Sequence, residues 1–393
     1  YLVDTTLNDG FTSNKDIENY KKKIKIYDEG IKSVEKFIKE YQVDCDWNQC
    51  GKYFASSLIS DENIATKFSD LLSSLNFENK ILYKEELQKR LGTSFYSVGV
   101  YTSGGILLNP GKLIRAMVDT LPDNVELFEN THLDKWQLNG DKIQCNFQNH
   151  IILSKRIIFC TNGFLRSLNV RKNFSFPLTL TASLTRPLSD IEFEKIGSPK
   201  EWGVLPIRPM GATIRMTKDK RILIRNTAEV SDPNIFSKDD LDQRKKIHKT
   251  GIKKRFPSLP DDIIESTWSG VVCRSRNGSQ IFEKIDENVF VAGCYNGSGI
   301  GTGTFFGEQI ALMASNQDSD KINVIEDRVK PTKLPSEILL LCSETCSRIN
   351  RLIFPFFAKY PPSSKLKFEF SLTHLSIKQL PGPISLALKL SVL

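Results

Sequence analysis

Between Gly293 and Gly307 the chain places six glycines in fifteen positions, entered from the apolar run "NVFVAG" and left through "TFFGEQIALMA". Glycine weakens helices and strands alike because it has the most backbone freedom to lose. A cluster between two apolar elements therefore needs a local cause. Either backbone amides approach a ligand closely, commonly an anion at a helix start, or the glycines let a helix and a strand pack tightly. The spacing is G-x-x-x-G-x-G-x-G-x-G-x-x-x-G. It fails the dinucleotide fingerprint G-x-G-x-x-G, because Thr302 and Thr304 stand where the third glycine would be. Glu326, in "INVIEDR", only mimics the acid that would bind a ribose. An NAD-dependent dehydrogenase rests on that imperfect pattern alone.

The chain has 393 residues, enough for two or three domains or two interleaved ones, and enough core to enclose a cofactor. Its net charge of +8 comes from 54 basic against 46 acidic residues, a modest and dispersed excess. Lys21, Lys22 and Lys23 fit a solvated helix face, so no nucleic-acid partner is expected. Cysteines stand at Cys45, Cys50, Cys145, Cys160, Cys273, Cys294, Cys342 and Cys346, with no CxxC pair among them. They read as reduced, buried thiols of a cytoplasmic protein. His132, His150, His248 and His374 are isolated, so no metal centre is expected. No apolar run reaches the length of a membrane span, and the start at Tyr1 is neither a methionine nor a signal peptide.

Along the chain, residues 14–42 predict one long amphipathic helix with Asn14 as its cap, and residues 61–92 predict two more. "SVGVYTSGGILLNP" reads as a strand and turn before the helix "GKLIRAMVDTL". Short β signals follow in "NVELFEN", "LDKWQLNGDKIQCNF" and "HIILSKRIIFCTNG", with a hairpin at Asn139-Gly140. Residues 177–230 predict an antiparallel sheet, followed by the helix "SKDDLDQRKKIHKTGIKKRF" and the run "STWSGVVCRSRNGSQIF". Residues 331–393 carry apolar clusters without clean periodicity and form a C-terminal extension of unknown role.

Taken in order, "YTSGGILLNPGKLIRAM", "VELFENTHLDKW", "SKRIIFCTNGFL", "TWSGVVCRSRNG" and "VFVAGCYNGSGIGTGTFFGEQIA" resemble the D-amino-acid oxidase and glycine oxidase family of FAD-dependent oxidoreductases. Bacterial amine- and amino-acid-deaminating members look most similar. The resemblance implies a mixed α/β fold, with an FAD-binding (GR2-like) domain interleaved with a substrate domain on a mostly antiparallel sheet. The FAD side would take residues 105–165 and 280–330, and the substrate side residues 15–104 and 166–279, within a domain spanning 1–330. It also implies that the glycine turn, from Gly293 through Gly297, Gly299 and Gly301, passes the isoalloxazine edge. The helix after it would aim its N-terminus at the pyrimidine carbonyl. Asn296, Ser298 and Thr302 would add polar contacts, and Ile300 would pack near the ring. Backbone beside Leu133 would bond the adenine, and Thr161, Asn162 and Gly163 would lie near the phosphates and ribityl chain.

Two departures shape the functional expectation. No strand and G-x-G-x-x-G turn precede Tyr1, so the domain is expected to be truncated at its N-terminus and to hold FAD weakly. Val272 occupies the position of the family's carboxylate-clamping arginine, with Arg274 and Arg276 displaced by two and four residues. In a strand a shift of two keeps the same face, so Arg274 can still serve. The resemblance implies oxidation of the C–N bond of a small amine or amino acid by hydride transfer, with dioxygen or another acceptor reoxidising the flavin. Arg274, Arg276 and Tyr295 are the substrate-side candidates. An inactive homologue acting as a scaffold or binding protein is the alternative.

Overall fold

The computed structural model describes residues 2–6, 14–208, 211–230 and 236–334. Cys342, Cys346, His374 and most of the C-terminal extension lie outside the described residues. The longest element is α1 (Asn14–Tyr41), whose inward stripe includes buried Tyr20, Tyr27 and Val34 and half-buried Ile31 and Ile38 at helical spacing. Then come β1 (Lys52–Ser56), α2 (Glu62–Ser74), β2 (Asn79–Tyr83), α3 (Lys84–Leu91) and β3 (Val98–Thr102). α4 (Pro110–Asp119) starts cleanly because Asn109 accepts from the amides of Gly111 and Lys112, with Pro110 in the first turn.

β4 (Lys135–Asn139), β5 (Lys142–Phe147) and β6 (His150–Ser154) form an antiparallel meander whose first turn centres on Gly140 and Asp141. The expected strand at "NVELFEN" does not form. Residues 124–130 pair with no strand among the described residues, and Val125, Leu127 and Phe128 are exposed. An apolar, β-prone run without a partner for its backbone groups stays irregular.

β7 (Ile157–Phe159) lies parallel to β14 (Val289–Gly293), which pairs antiparallel with β13 (Ile281–Asp286). The large sheet uses β1 to β3 with β8 (Ser175–Thr185), β9 (Trp202–Pro206), β10 (Thr213–Met216), β11 (Ile222–Val230) and β12 (Ile264–Ser275). Its order is β12-β8-β11-β10-β9-β1-β3-β2, and every pairing is antiparallel except β1 with β9. α5 (Asp190–Lys195) and α6 (Lys238–Arg255) connect its strands, and both start on capping boxes, at Ser189 and Ser237.

One face of this sheet is closed. Trp202, Val204, Ile214, Ile222 and Ile224 bury against Ile252 and Phe256 at the end of α6. At the β2 and β3 end the opposite face is covered by α2 and α1 through Phe54, Val98, Val100, Phe68 and Leu72. Farther along that face, on β8, β11 and β12, Leu178, Leu180, Leu184, Leu223 and Val272 are half-buried and Trp268 is exposed. That uncovered stretch adjoins the glycine turn.

α7 (Gly299–Ala314) begins at Gly299, five residues before the expected start at Thr304, so four of the glycines are helical. α8 (Asp320–Glu326) follows, and its Glu326 pairs with Lys330. The expectation of uniformly buried thiols also needs correction. Cys45, Cys145, Cys273 and Cys294 are buried and form no disulfide among the described residues, but Cys160 is exposed and Cys50 half-buried. Cys160 follows the last residue of the edge strand β7 and is exposed there.

Candidate active site

The glycine turn carries concentrated backbone strain. Cys294 (φ 57°), Asn296 (φ 55°) and Gly297 (φ 96°) are all left-handed, a conformation that costs a non-glycine residue energy and gathers at functional sites. Asn296 locks the turn. Its amide hydrogen goes to the Cys273 carbonyl at 3.1 Å, its Nδ2 donates to the Cys294 carbonyl at 2.8 Å, and its Oδ1 accepts from the Ser275 amide at 2.9 Å. Arg274 Nη1 donates to the Asn296 carbonyl at 2.8 Å, and the Tyr295 amide reaches Asn162 Oδ1 at 3.4 Å. Arg274, Tyr295, Asn296 and Asn162 are therefore brought together.

The start of α7 is uncapped. Ser298 makes no side-chain cap bond and no acidic residue stands in the first turn. The free amides and the positive end of the helix dipole are left for an anion or a carbonyl oxygen. Thr302 Oγ1 is buried with no hydrogen-bond partner among the described residues, and a narrow crevice beside it is lined by Leu2, Val3, Ser298 and Gly301. An orphaned buried hydroxyl beside uncapped amides is the donor set that the carbonyl-bearing pyrimidine edge of a flavin requires. The residues fit that group.

The glycines divide by neighbour. A Cβ on Gly301 would meet the backbone of Gly30 on α1 at 3.3 Å, and one on Gly303 would meet Tyr295 at 3.3 Å. Gly293 faces Leu165 and Asn162. Gly297 and Gly307 have open space, and Gly299 has only an ordinary contact with Tyr295. Both causes left open by the sequence thus operate, at different positions. Tyr295 is buried edge-on to Phe306 (ring centroids 5.9 Å), and burial first raises its hydroxyl above the usual phenol range, so it stays a neutral phenol. Ile300 packs with Leu2, Val34 and Ile106. Leu133 packs with Trp136 and Phe159 under the meander, Gly163 is buried against Val271, and Thr161 is exposed beyond β7. Arg276 is exposed in the turn beyond β12.

The sequence reading missed three cations on the sheet face that α1 and α2 cover at one end. Lys52 is fully buried, ion-paired with Asp4, and burial lowers its ammonium below the ordinary range. Arg225 stands opposite Thr213 on β10 and donates to its hydroxyl. Arg215 lies two residues from Thr213, on the same face. The signal was present in "TIRM" and "RILIRN", where each arginine takes the polar phase of an alternating strand. Among the described residues no group of His, Cys, Asp and Glu could hold a metal ion. Nor is any described helix long and apolar enough to cross a membrane.

The fold, a large mostly antiparallel sheet with a left-handed strand-to-helix glycine turn beside it, has counterparts among known proteins. Residues 7–313 match the family model for FAD dependent oxidoreductases (DAO), and the chain belongs to that family, whose cofactor is FAD. It is 21% identical over 343 residues to the oxidoreductase OrdL of Haemophilus influenzae, covering 84% of this chain and 75% of that protein. It is 21% identical over 292 residues to the gamma-glutamylputrescine oxidoreductase of Escherichia coli, covering 72% and 66% of the two chains. Its fold is similar to glycine oxidase from Geobacillus kaustophilus, with a TM-score of 0.65 at 12% identity over 76% of this chain and 80% of that one.

Proposed function

We propose that the chain oxidises the C–N bond of a small amine or amino acid, passing hydride to FAD and leaving an imine that hydrolyses. Bound FAD would supply the two-electron chemistry, with dioxygen or another acceptor taking the electrons onward. The single observation that carries the reading is the uncapped start of α7 after the left-handed turn, with the orphaned Thr302 hydroxyl beside it.

The chain's own residues have three tasks. The first-turn amides and dipole of α7 would hold negative charge at the cofactor's pyrimidine edge, worth up to ~2 kcal/mol from the dipole in a favourable partly buried site. Arg274 and Asn296 would fix the turn so that those amides need not reorganise. The half-buried face of β8, β11 and β12 would orient the substrate and exclude water, and an amine that binds neutral requires no side-chain base. In this reading residues 105–165 and 280–330 serve the cofactor, and residues 15–104 and 166–279 the substrate.

The test is to load the full chain with FAD and follow the visible flavin absorbance anaerobically while adding primary and secondary amines and amino acids. Bleaching by at least one of them is expected. Bound flavin that none of them reduces would sink the reading.

A further inference from the structure

We propose that the groove between Trp136 on β4 and the loop of residues 166–174 binds a mononucleotide, its base on the indole and its phosphate at Arg171 and Lys172. The groove has a volume of about 370 Å³, within the range of small-ligand sites. Trp136, Phe174 and Ile285 supply its apolar wall. Among the described residues, Arg171 and Lys172 are the charged side chains that line it, and no carboxylate does. The groove stands apart from the glycine turn. Ile281 pairs with Gly293 at that turn, and Ile285 lies four residues farther along β13, about 13 Å away.

The walls are organised before any ligand arrives. Trp136 Nε1 donates to the Leu168 carbonyl at 3.0 Å, so the indole is held in place and only ring carbon is left for a ligand. Within the loop, the Asn169 amide bonds the Arg166 carbonyl at 3.1 Å, and the Phe174 amide bonds the Arg171 carbonyl at 3.0 Å. The Leu334 amide ties the loop down at the Asn173 carbonyl, at 2.7 Å. Asn169 (φ 56°) and Arg171 (φ 47°) both take left-handed backbone within three residues. Arginine has no short side chain to ease that conformation, which gathers at functional sites.

Charge and shape select the ligand. Arg171 is ion-paired with Glu283 on β13, and its guanidinium lies 5.5 Å from the Phe174 ring centre, so the fork is fixed and half-buried. Its Nε is buried with no hydrogen-bond partner among the described residues. A fixed guanidinium with an unused donor suits phosphate oxygens, and a flat aromatic wall takes any nucleobase by stacking. One groove that offers both matches a mononucleotide better than either half of it alone.

The inference stands apart from the proposed amine oxidation, because its test needs no turnover. The full, FAD-saturated chain is dialysed against labelled AMP, with adenosine, inorganic phosphate and a single-stranded oligonucleotide as competitors. AMP should bind saturably, and adenosine and phosphate should each compete at least tenfold less well. Binding should weaken at least tenfold in Trp136→Leu and less in Trp136→Phe, which keeps a ring. It should weaken at least threefold in Lys172→Gln, whose exposed position leaves folding intact, and stay unaltered in Lys36→Gln on α1. No saturable binding, unaltered binding in Trp136→Leu or in Lys172→Gln, or equal competition by adenosine or by phosphate would each overturn the proposal. Release of bound flavin as AMP rises would put AMP in the flavin's own site and overturn it too. An oligonucleotide that binds more tightly than AMP would do the same, by making the ligand a nucleic-acid strand.

Discussion

At the scale of single residues, the six glycines separate into those that a neighbour excludes and those that it does not. A Cβ on Gly30 would sit 2.7 Å from the Gly301 carbonyl carbon, a backbone atom that cannot swing aside. Gly30→Ala should therefore push α1 from α7 and cost ~1–3 kcal/mol in urea unfolding. Gly307→Ala, with nothing near its Cβ inside a helix, should be neutral or gain up to ~1 kcal/mol. Equal effects would mean that the helix contact is not tight. His248 gives a second residue-scale expectation. It is buried, its Nδ1 lies 2.7 Å from Ser183 Oγ, and burial lowers it from 6.5 to about 4. The unfolded chain takes up a proton as pH falls below 6.5 while the folded chain does not until about 4. Its stabilising contribution is thus complete above 6.5 and is lost toward 4, on the order of 3 kcal/mol in all. Melting temperature measured across that window should fall less steeply in His248→Gln than in the parent, and parallel slopes would assign the acid limb to other groups.

At the scale of elements, α7 trades stability for access at its N-terminus. Ser298→Asp adds a negative charge where the helix lacks one, and should raise the melting temperature by the equivalent of ~0.5–1 kcal/mol. The same charge would face the cofactor's pyrimidine edge, so flavin affinity should fall. A variant that gained stability and kept its flavin affinity would show that these amides do not serve the cofactor. The sequence displayed α1, α6 and the hairpin at Gly140 because each is set by local periodicity, caps or turn residues. It misplaced the start of α7, since a run of glycines carries no helical signal and the helix forms there through Gly301 packing on Gly30 and Tyr295 packing on Gly303. Arg215 and Arg225 were overlooked for a related reason. Their meaning depends on β8 and β12 lying beside β11, a pairing between segments far apart in sequence.

At the scale of the whole molecule, the same limit explains the error at "NVELFEN". Local propensity favours a strand, but a strand exists only where another offers its backbone, and none of the described residues does so. Accessible apolar side chains are frequent over residues 114–164. They include Ile114 and Val118 on α4, Val125, Leu127 and Phe128 in the irregular run, Ile151 to Leu153 on β6, and Ile158 on the edge strand β7. Phe128 alone is 61% exposed. Strands in parallel pairing, as β7 is with β14, are usually covered on both faces, and uncovered apolar surface with an open edge favours association between chains. The isolated chain should accordingly form concentration-dependent assemblies in sedimentation velocity at neutral pH. Leu127→Ser with Phe128→Ser should reduce them while leaving the melting temperature within about 1 °C, because surface changes away from caps, cores and paired charges alter stability little. A parent chain that stayed monomeric up to high concentration would show that this surface is adequately solvated. A double variant that unfolded instead would place those side chains in packing that their exposure does not reveal.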